Sequence, residues 1–337
     1  MENILKKNII FFIIFFLILL FHQLLFQQFF PNNQGYLGHD YEQFVPNLMF
    51  GKIWFKNNFL SIPWFTPSFC CGVPFYADPQ STFYSIYQII FIIFDPIISI
   101  KFIFFILSFF SYYGMFVLLK KFGFSNYSAL LCGSLFLFNG FFIYRSIIGH
   151  LAYLSYVFVP LYCFFLINSF EKKLNKLNIF YLLLSSIIFA NFFHSGSGPI
   201  ILIIFSSIFI IILFYANFQN NLKIFVNFFL SIFLGCLISL SKITSSLFLL
   251  SNFPRQYPPT EFNSFLSYLV NFFNSFFLEV DQKYFNESLN SMISFGKHEM
   301  EYSLGIVPII SLLLVVLLDK KYFKINLKNI NFFLILI

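Results

Sequence analysis

The sequence predicts an all-α polytopic membrane protein, a single transmembrane domain over residues 1–337. Two observations carry that reading: 59% of the residues are hydrophobic and only 10% are charged, where soluble domains carry about a quarter charged residues. A third is that apolar runs long enough to cross a bilayer, about 20 residues, recur along the chain. Phe is abundant, 59 of 337 residues, but Phe, Leu and Ile are nearly interchangeable against acyl chains, so the excess carries no function.

Taken in order, Lys6 and Lys7 precede an apolar core from Ile9 to Phe30. That core is too long for a signal peptide, and no small-x-small cleavage site comes before Pro31, so it reads as a retained first span. Further spans are expected near 97–119, 127–143, 151–169, 179–193, 200–216, 224–243 and 303–318, with a last one beginning near Asn329. The run 81–94 would rise only about 21 Å as a helix, short of the roughly 30 Å core, and reads as interfacial or re-entrant.

The charges support that choice. With Lys6 and Lys7 cytoplasmic and 81–94 not crossing, the cytoplasmic side collects twelve basic residues against three acidic, and the outer side eight against ten. This obeys the positive-inside rule, and counting 81–94 as a span would invert it. The net charge of +7 therefore reports topology and gives no support for nucleic acid. The expected setting is the cytoplasmic (inner) membrane, with the N-terminus cytoplasmic and an active face outside.

Under this topology the long loops, 31–96 and about 244–302, are both outer, and His39, His150, His194 and His298 fall on or beside the same face. In the second loop Ser264, Ser267, Asn271 and Asn274 recur at three- and four-residue steps, the pattern of an apolar helix whose narrow polar stripe meets headgroups. The last apolar run reaches only Ile337, which reads as a truncated or half-inserted terminus. Cys132, Cys163 and Cys236 fall in spans. The adjacent Cys70 and Cys71 read as reduced thiols beneath the first loop rather than a disulfide.

Several residues have chemistry to offer. Asp40, about ten residues past the first span, reads either as a general base near low-dielectric lipid or as a solvated loop acid. His39, Asp40 and Glu42 together offer a divalent metal three donors, at a spacing of low specificity. Asp78 reads as a second acid or as the N-cap of a helix 79–94 with Pro79 at its first position, a place that also attracts phosphate; Asp95-Pro96 repeats the device. Arg145, with His150 five residues on, Lys242 and Arg255 are outer cations near membrane boundaries, suited to a lipid phosphate or to snorkelling. HSGSGP, from His194 to Pro199, reads as a tight turn or a close approach to a ligand. Glu299 reads as a second acid or as an N-terminal helix charge, like Glu301 beside it. No Walker loop, HExxH, nucleophile elbow or dinucleotide fingerprint occurs.

The first loop, with GHDYEQFVPNLMFGK and PWFTPSFCCGVPFYADPQSTFYS, resembles that of bacterial membrane glycosyltransferases of the GT-C superfamily. The resemblance continues through YRSIIGHLAYLSYVFVPL, SKITSSLFLLSNFPR and HEMEYSLGIVPI, and GVPFYADPQS is its most specific part. It implies a GT-C-like helix bundle and transfer of a sugar from a polyprenyl-phosphate carrier to an envelope glycan, lipid or protein. The family's acid after the first span corresponds to Asp40 as base. Arg255, Lys242 or Arg145, with His150 nearby, are expected to meet the lipid phosphate, in a groove walled by helices 79–94 and 262–280. A transporter or flippase of a lipid-linked intermediate, and a non-catalytic assembly subunit, remain alternatives. A transporter calls for polar or broken helices at mid-depth, for which His22 and the small residues around Gly133 and Gly235 are the only hints.

Overall fold

The computed structural model describes residues 2–31, 40–67, 72–170, 176–219, 222–254, 261–278, 281–290, 296–300 and 302–303. Among these, α1 covers Glu2–Phe26, α2 Tyr41–Asn58, α3 Ile86–Ile93, α4 Pro96–Lys121, α5 Asn126–Leu137 and α6 Gly140–Ile148. A 3-10 stretch, Leu151–Phe158, leads into α7 (Val159–Ser169), followed by α8 (Lys176–His194), α9 (Ile201–Phe218), α10 (Ile224–Ile238) and α11 (Leu240–Asn252). Three shorter helices follow: α12 (Phe265–Phe277), α13 (Gln282–Glu287) and α14 (Lys297–Met300). Described strand is limited to two-residue antiparallel pairings, Phe65–Thr66 with Val73–Pro74 and Glu261–Phe262 with Leu289–Asn290.

Five helical segments are long and apolar enough to cross a membrane: Phe12–Phe29, Pro96–Lys121, Leu151–Ser169, Lys176–His194 and Gly198–Asn217. Two bent pairs, α5 with α6 and α10 with α11, bring the total to seven if each is one broken span. The sequence predicts one uninterrupted span for each, at 127–143 and 224–243. The first breaks because Asn139 caps a new helix inside the run, its Oδ1 accepting the Phe142 N–H at 2.8 Å, and the axes differ by 41°. The second breaks at Ser239, after which α11 leaves at 72° and carries Lys242 with it. The spans expected at 303–318 and from Asn329 lie outside the described residues.

The helix packing relies on small side chains, which let backbones approach. A Cβ at Gly114 would lie 3.1 Å from the Leu161 nitrogen, one at Gly133 2.8 Å from the Tyr112 ring, and one at Gly235 2.9 Å from the Ser186 carbonyl oxygen. The small residues at Gly133 and Gly235 thus mark helix contacts. His22 is buried too, stacked on Phe104 at 5.0 Å with its Nδ1 3.3 Å from the Ser108 hydroxyl.

Two hydrogen bonds gather the C-termini of α4 and α7 with the start of α10 at one end of the bundle: Lys121 Nζ donates to Asn168 at 2.6 Å and Asn227 Nδ2 to Ser169 Oγ at 3.0 Å. Because α8 begins at this end with Lys176, its C-terminal His194 lies at the other. There its ring meets that of Tyr84 at 5.7 Å, in the turns between residues 76 and 85.

Three loop expectations are corrected. Helix 79–94 is instead α3, eight residues and about 12 Å long, too short to cross; its N-cap is Ser85, whose hydroxyl accepts from the Gln88 N–H at 3.5 Å. Asp78 precedes it by a string of turns and caps no helix. The first loop also contains α2, which had not been expected. Tyr41, Phe44, Val45, Leu48 and Gly51 are its buried residues, a helical stripe that Pro46 interrupts in the sequence. Lastly, only the middle of the polar stripe of α12 points inward. Ser267 and Asn271 are buried, Asn271 Nδ2 donating to Ser288 Oγ at 2.7 Å, while Asn274 is half-buried and the N-cap Ser264 is exposed, as are Phe265, Leu266 and Phe272. Polar groups in apolar surroundings satisfy one another, so Asn271 closes on the end of α13.

Cys132, Cys163 and Cys236 are free thiols; Cys70 and Cys71 lie outside the described residues.

Candidate functional site

Asp40 is brought to α6 by the backbone. Its N–H donates to the Ile148 carbonyl at 3.0 Å, and the hydroxyl of the next residue, Tyr41, donates to the Ser146 carbonyl at 2.6 Å. Complete burial pushes the Tyr41 phenol far above its ordinary range, so it stays a donor. Between these contacts Gly149 ends α6 in the left-handed region at φ 86°, where a Cβ would come within 2.7 Å of the Tyr41 nitrogen. Only glycine permits that approach. The chain then reverses so that His150 faces Asp40.

His150 Nδ1 lies 3.3 Å from Asp40 Oδ2 and 2.8 Å from Arg145 Nη1. One nitrogen cannot serve both neighbours at once: as a lone pair it accepts from Arg145, and as N–H it donates to Asp40. The position of one proton is therefore linked to which partner holds the ring. Arg145, only 5% exposed, lies between the rings of Phe141 and Tyr153, at 4.8 and 4.3 Å from their centroids. Its Nε has no hydrogen-bond partner among the described residues.

Arg145 also lines a cavity of about 560 Å³ among α4, α6, the 3-10 stretch, α7 and α9. Its polar lining includes Asn139 and Tyr156, hydrogen-bonded to each other at 2.9 and 3.0 Å, and its remaining wall is mainly aliphatic. Tyr302 closes one side, stacked on Phe141 at 5.4 Å. The segment bearing it is fixed by the Gly140 N–H donating to the Ser303 carbonyl at 2.8 Å and the Tyr302 N–H to the Ser275 carbonyl at 2.9 Å.

Lys242 and Asp78 form a second cluster. Lys242, 2% exposed, donates to the carbonyls of Tyr76 at 2.7 Å and Asp78 at 2.6 Å. Burial raises the Tyr76 phenol above its ordinary value, and its bond to Ser241 at 2.8 Å opposes that rise. The Asp78 side chain accepts from the Gln80 N–H at 2.8 Å in an Asx-type turn. Gly196 of HSGSGP, at φ 83°, sits so close to this loop that a Cβ would fall 2.5 Å from the Gln80 carbonyl oxygen. Its close approach is to the protein's own ADPQS stretch.

Glu299 and Glu42 take local positions. Glu299 Oε2 accepts from the Gly296 N–H at 3.0 Å at the start of α14, a local helix role. Glu42 is exposed in the first turn of α2. His39 and Arg255 lie outside the described residues, and among those described no three His, Cys, Asp or Glu side chains are grouped to hold a metal ion. The structure thus brings Asp40, Arg145 and His150 together and places Lys242 and Asp78 in a separate cluster. The Asp40–His150 contact, across 110 positions, leaves no local signal in the sequence. Comparison with known proteins finds no matching family model, no matching curated protein and no matching solved structure.

Proposed function

We propose that the protein is a GT-C-like membrane glycosyltransferase, moving a sugar from a polyprenyl-phosphate carrier to an envelope acceptor on the extracytoplasmic side. The observation that carries this reading is the joining of Asp40, His150 and Arg145: an acid, an imidazole and a cation at the same end of the bundle, beside an apolar cavity. An acceptor hydroxyl attacks the anomeric carbon as the bond from that carbon to the phosphate oxygen breaks. The hydroxyl proton passes to Asp40, and the polyprenyl phosphate leaves with the bonding pair. Arg145 meets the charge that develops on the departing phosphate. His150, within reach of both, orients Asp40.

The test is transfer from labelled polyprenyl-phosphate sugars in membranes carrying equal amounts of wild type or Asp40→Asn. A fall of about 10²–10⁴-fold in the variant is expected for loss of a general base. Unchanged transfer in the variant would remove Asp40 from the chemistry.

A transporter or flippase is the second reading, favoured by the breaks at Asn139 and Ser239, since discontinuous helices often form substrate sites in transporters. It predicts no transfer from any donor and measurable movement of labelled lipid across proteoliposomes.

A further inference from the structure

Among the described residues other than glycine, only Phe59 has a positive φ, 53° with ψ −127°. L residues avoid that region unless their surroundings fix it, and here three bonds do so. The Phe59 N–H donates to the Phe55 carbonyl at 2.8 Å, Trp54 Nε1 to the Ser61 carbonyl at 2.9 Å and the Tyr84 hydroxyl to the Leu60 carbonyl at 2.6 Å. Burial of the ring does not offset the strain. Phe59 is 65% exposed, and Leu60, Trp64 and Phe65 close by are exposed as well. The turn is fixed, and what it presents is an apolar tip.

That tip continues a surface suited to lipid. Ile98, Phe102 and Phe105 are exposed on α4, a helix long and apolar enough to cross a membrane. The Phe94 ring meets Phe102 at 5.1 Å, and the Phe94 carbonyl accepts from Lys52 Nζ of α2 at 2.8 Å. The apolar face therefore passes from α4 to α3, where Ile89 and Ile93 are exposed, and on to α2, where Ile53 is. From Ile53 the helix leads to Phe59, whose ring lies 5.4 Å from that of Phe55. Cations mark the level of the patch: Lys101 is exposed between Ile98 and Phe105, and Lys56 is exposed one turn before the tip. Lysines on a lipid-facing surface reach for headgroup phosphates, and Trp favours the same depth. A contiguous apolar patch edged in this way fits a bilayer surface better than water.

We infer that the Phe59 turn is a membrane wedge, with Phe59, Leu60 and Trp64 inserted among the headgroups and upper acyl chains of the leaflet beside α3, and Lys56 and Lys101 on its phosphates. The inference holds for an enzyme and for a transporter alike. Helix α2 is then fixed at both ends, about 27 Å apart: by the Ile148 and Ser146 carbonyls at Asp40 and Tyr41, and by lipid at Phe59.

The chain has two tryptophans, Trp54 and Trp64, so their fluorescence reads the depth of the tip without a label. The test uses the full chain reconstituted in phosphatidylcholine vesicles, with bromine high on the acyl chains, bromine at the chain ends, or iodide on both sides of the bilayer as quencher. Trp54→Phe isolates Trp64, and the difference between wild type and Trp64→Phe gives the same signal with the Trp54 bond in place. Shallow bromine should quench Trp64 about twofold more than terminal bromine or iodide, as for a ring at the interface. Phe59→Gly, which suits the positive φ, should unfold no earlier than wild type in detergent and should lower the shallow quenching about twofold. Trp64 quenched mainly by iodide would put the tip in water and overturn the wedge, as would shallow quenching unchanged by Phe59→Gly. Protection from iodide that appears only when an envelope glycan is added would assign the tip to a glycan instead. Earlier unfolding of Phe59→Gly in detergent would make the ring a packing residue of the fold, again against the wedge.

Discussion

Arg145 and Lys242 look alike in the sequence, two outer cations near predicted membrane boundaries, yet the fold uses them in opposite ways. Lys242 donates to two loop carbonyls and holds the Tyr76–Asp78 turn onto α11. Arg145 lies between two aromatic rings, its Nε without a partner among the described residues, and lines a cavity. Burial alone does not mark a site. What separates the two cations is whether the chain itself already satisfies their donors.

The largest expected effect follows from that difference. Lys242→Met would leave the Tyr76 and Asp78 carbonyls buried without their donor, a loss of about 3–5 kcal/mol, as for breaking one side of a buried charged contact. Arg145→Met gives up two ring contacts and the bond to His150 and should cost about 2–3 kcal/mol. Thermal unfolding of both variants in one detergent checks the order. A larger loss for Arg145→Met would reverse the assignment of which cation is structural.

Next in size is the contact between HSGSGP and ADPQS. Gly196→Ala meets both a left-handed backbone and the Gln80 carbonyl, and should cost about 3 kcal/mol. Gly123 provides the control. It has nearly the same backbone, φ 88°, but nothing within 4 Å of a Cβ, so Gly123→Ala should cost only about 1 kcal/mol. Unfolding midpoints of the pair isolate the loop contact. If the two losses are equal, the ADPQS stretch is not clamped by Gly196.

The same contrast explains what was legible in the sequence. Apolar length reports long helices well, because crossing a bilayer would demand it whatever the tertiary fold, and all seven segments expected as spans within the described residues are helical. The breaks were not legible, since Asn139 and Ser239 are single polar residues in otherwise continuous apolar runs. Helix α2 was hidden by Pro46, although the spacing of Tyr41, Phe44, Val45, Leu48 and Gly51 carried it. The direction of the α12 stripe depends on Ser288, 17 positions from Asn271, so periodicity located the face but not what it met. In the candidate site, Arg145 and His150 are near neighbours in sequence, whereas Asp40 joins them only through the α2–α6 contact at Gly149.

The smallest effect bears on the break beside the cavity. Tyr156→Phe removes the hydroxyl that Asn139 both donates to and accepts from, but Asn139 keeps its cap on α6 through the Phe142 N–H. A loss of about 1 kcal/mol is expected, the ordinary net value of such a bond, so unfolding should shift far less than for Lys242→Met. The hydroxyl also belongs to the cavity wall. A loss as large as that of Lys242→Met would place the structural keystone of this end of the bundle at the α5–α6 break, and make the polar end of the cavity a structural device before it is a binding one.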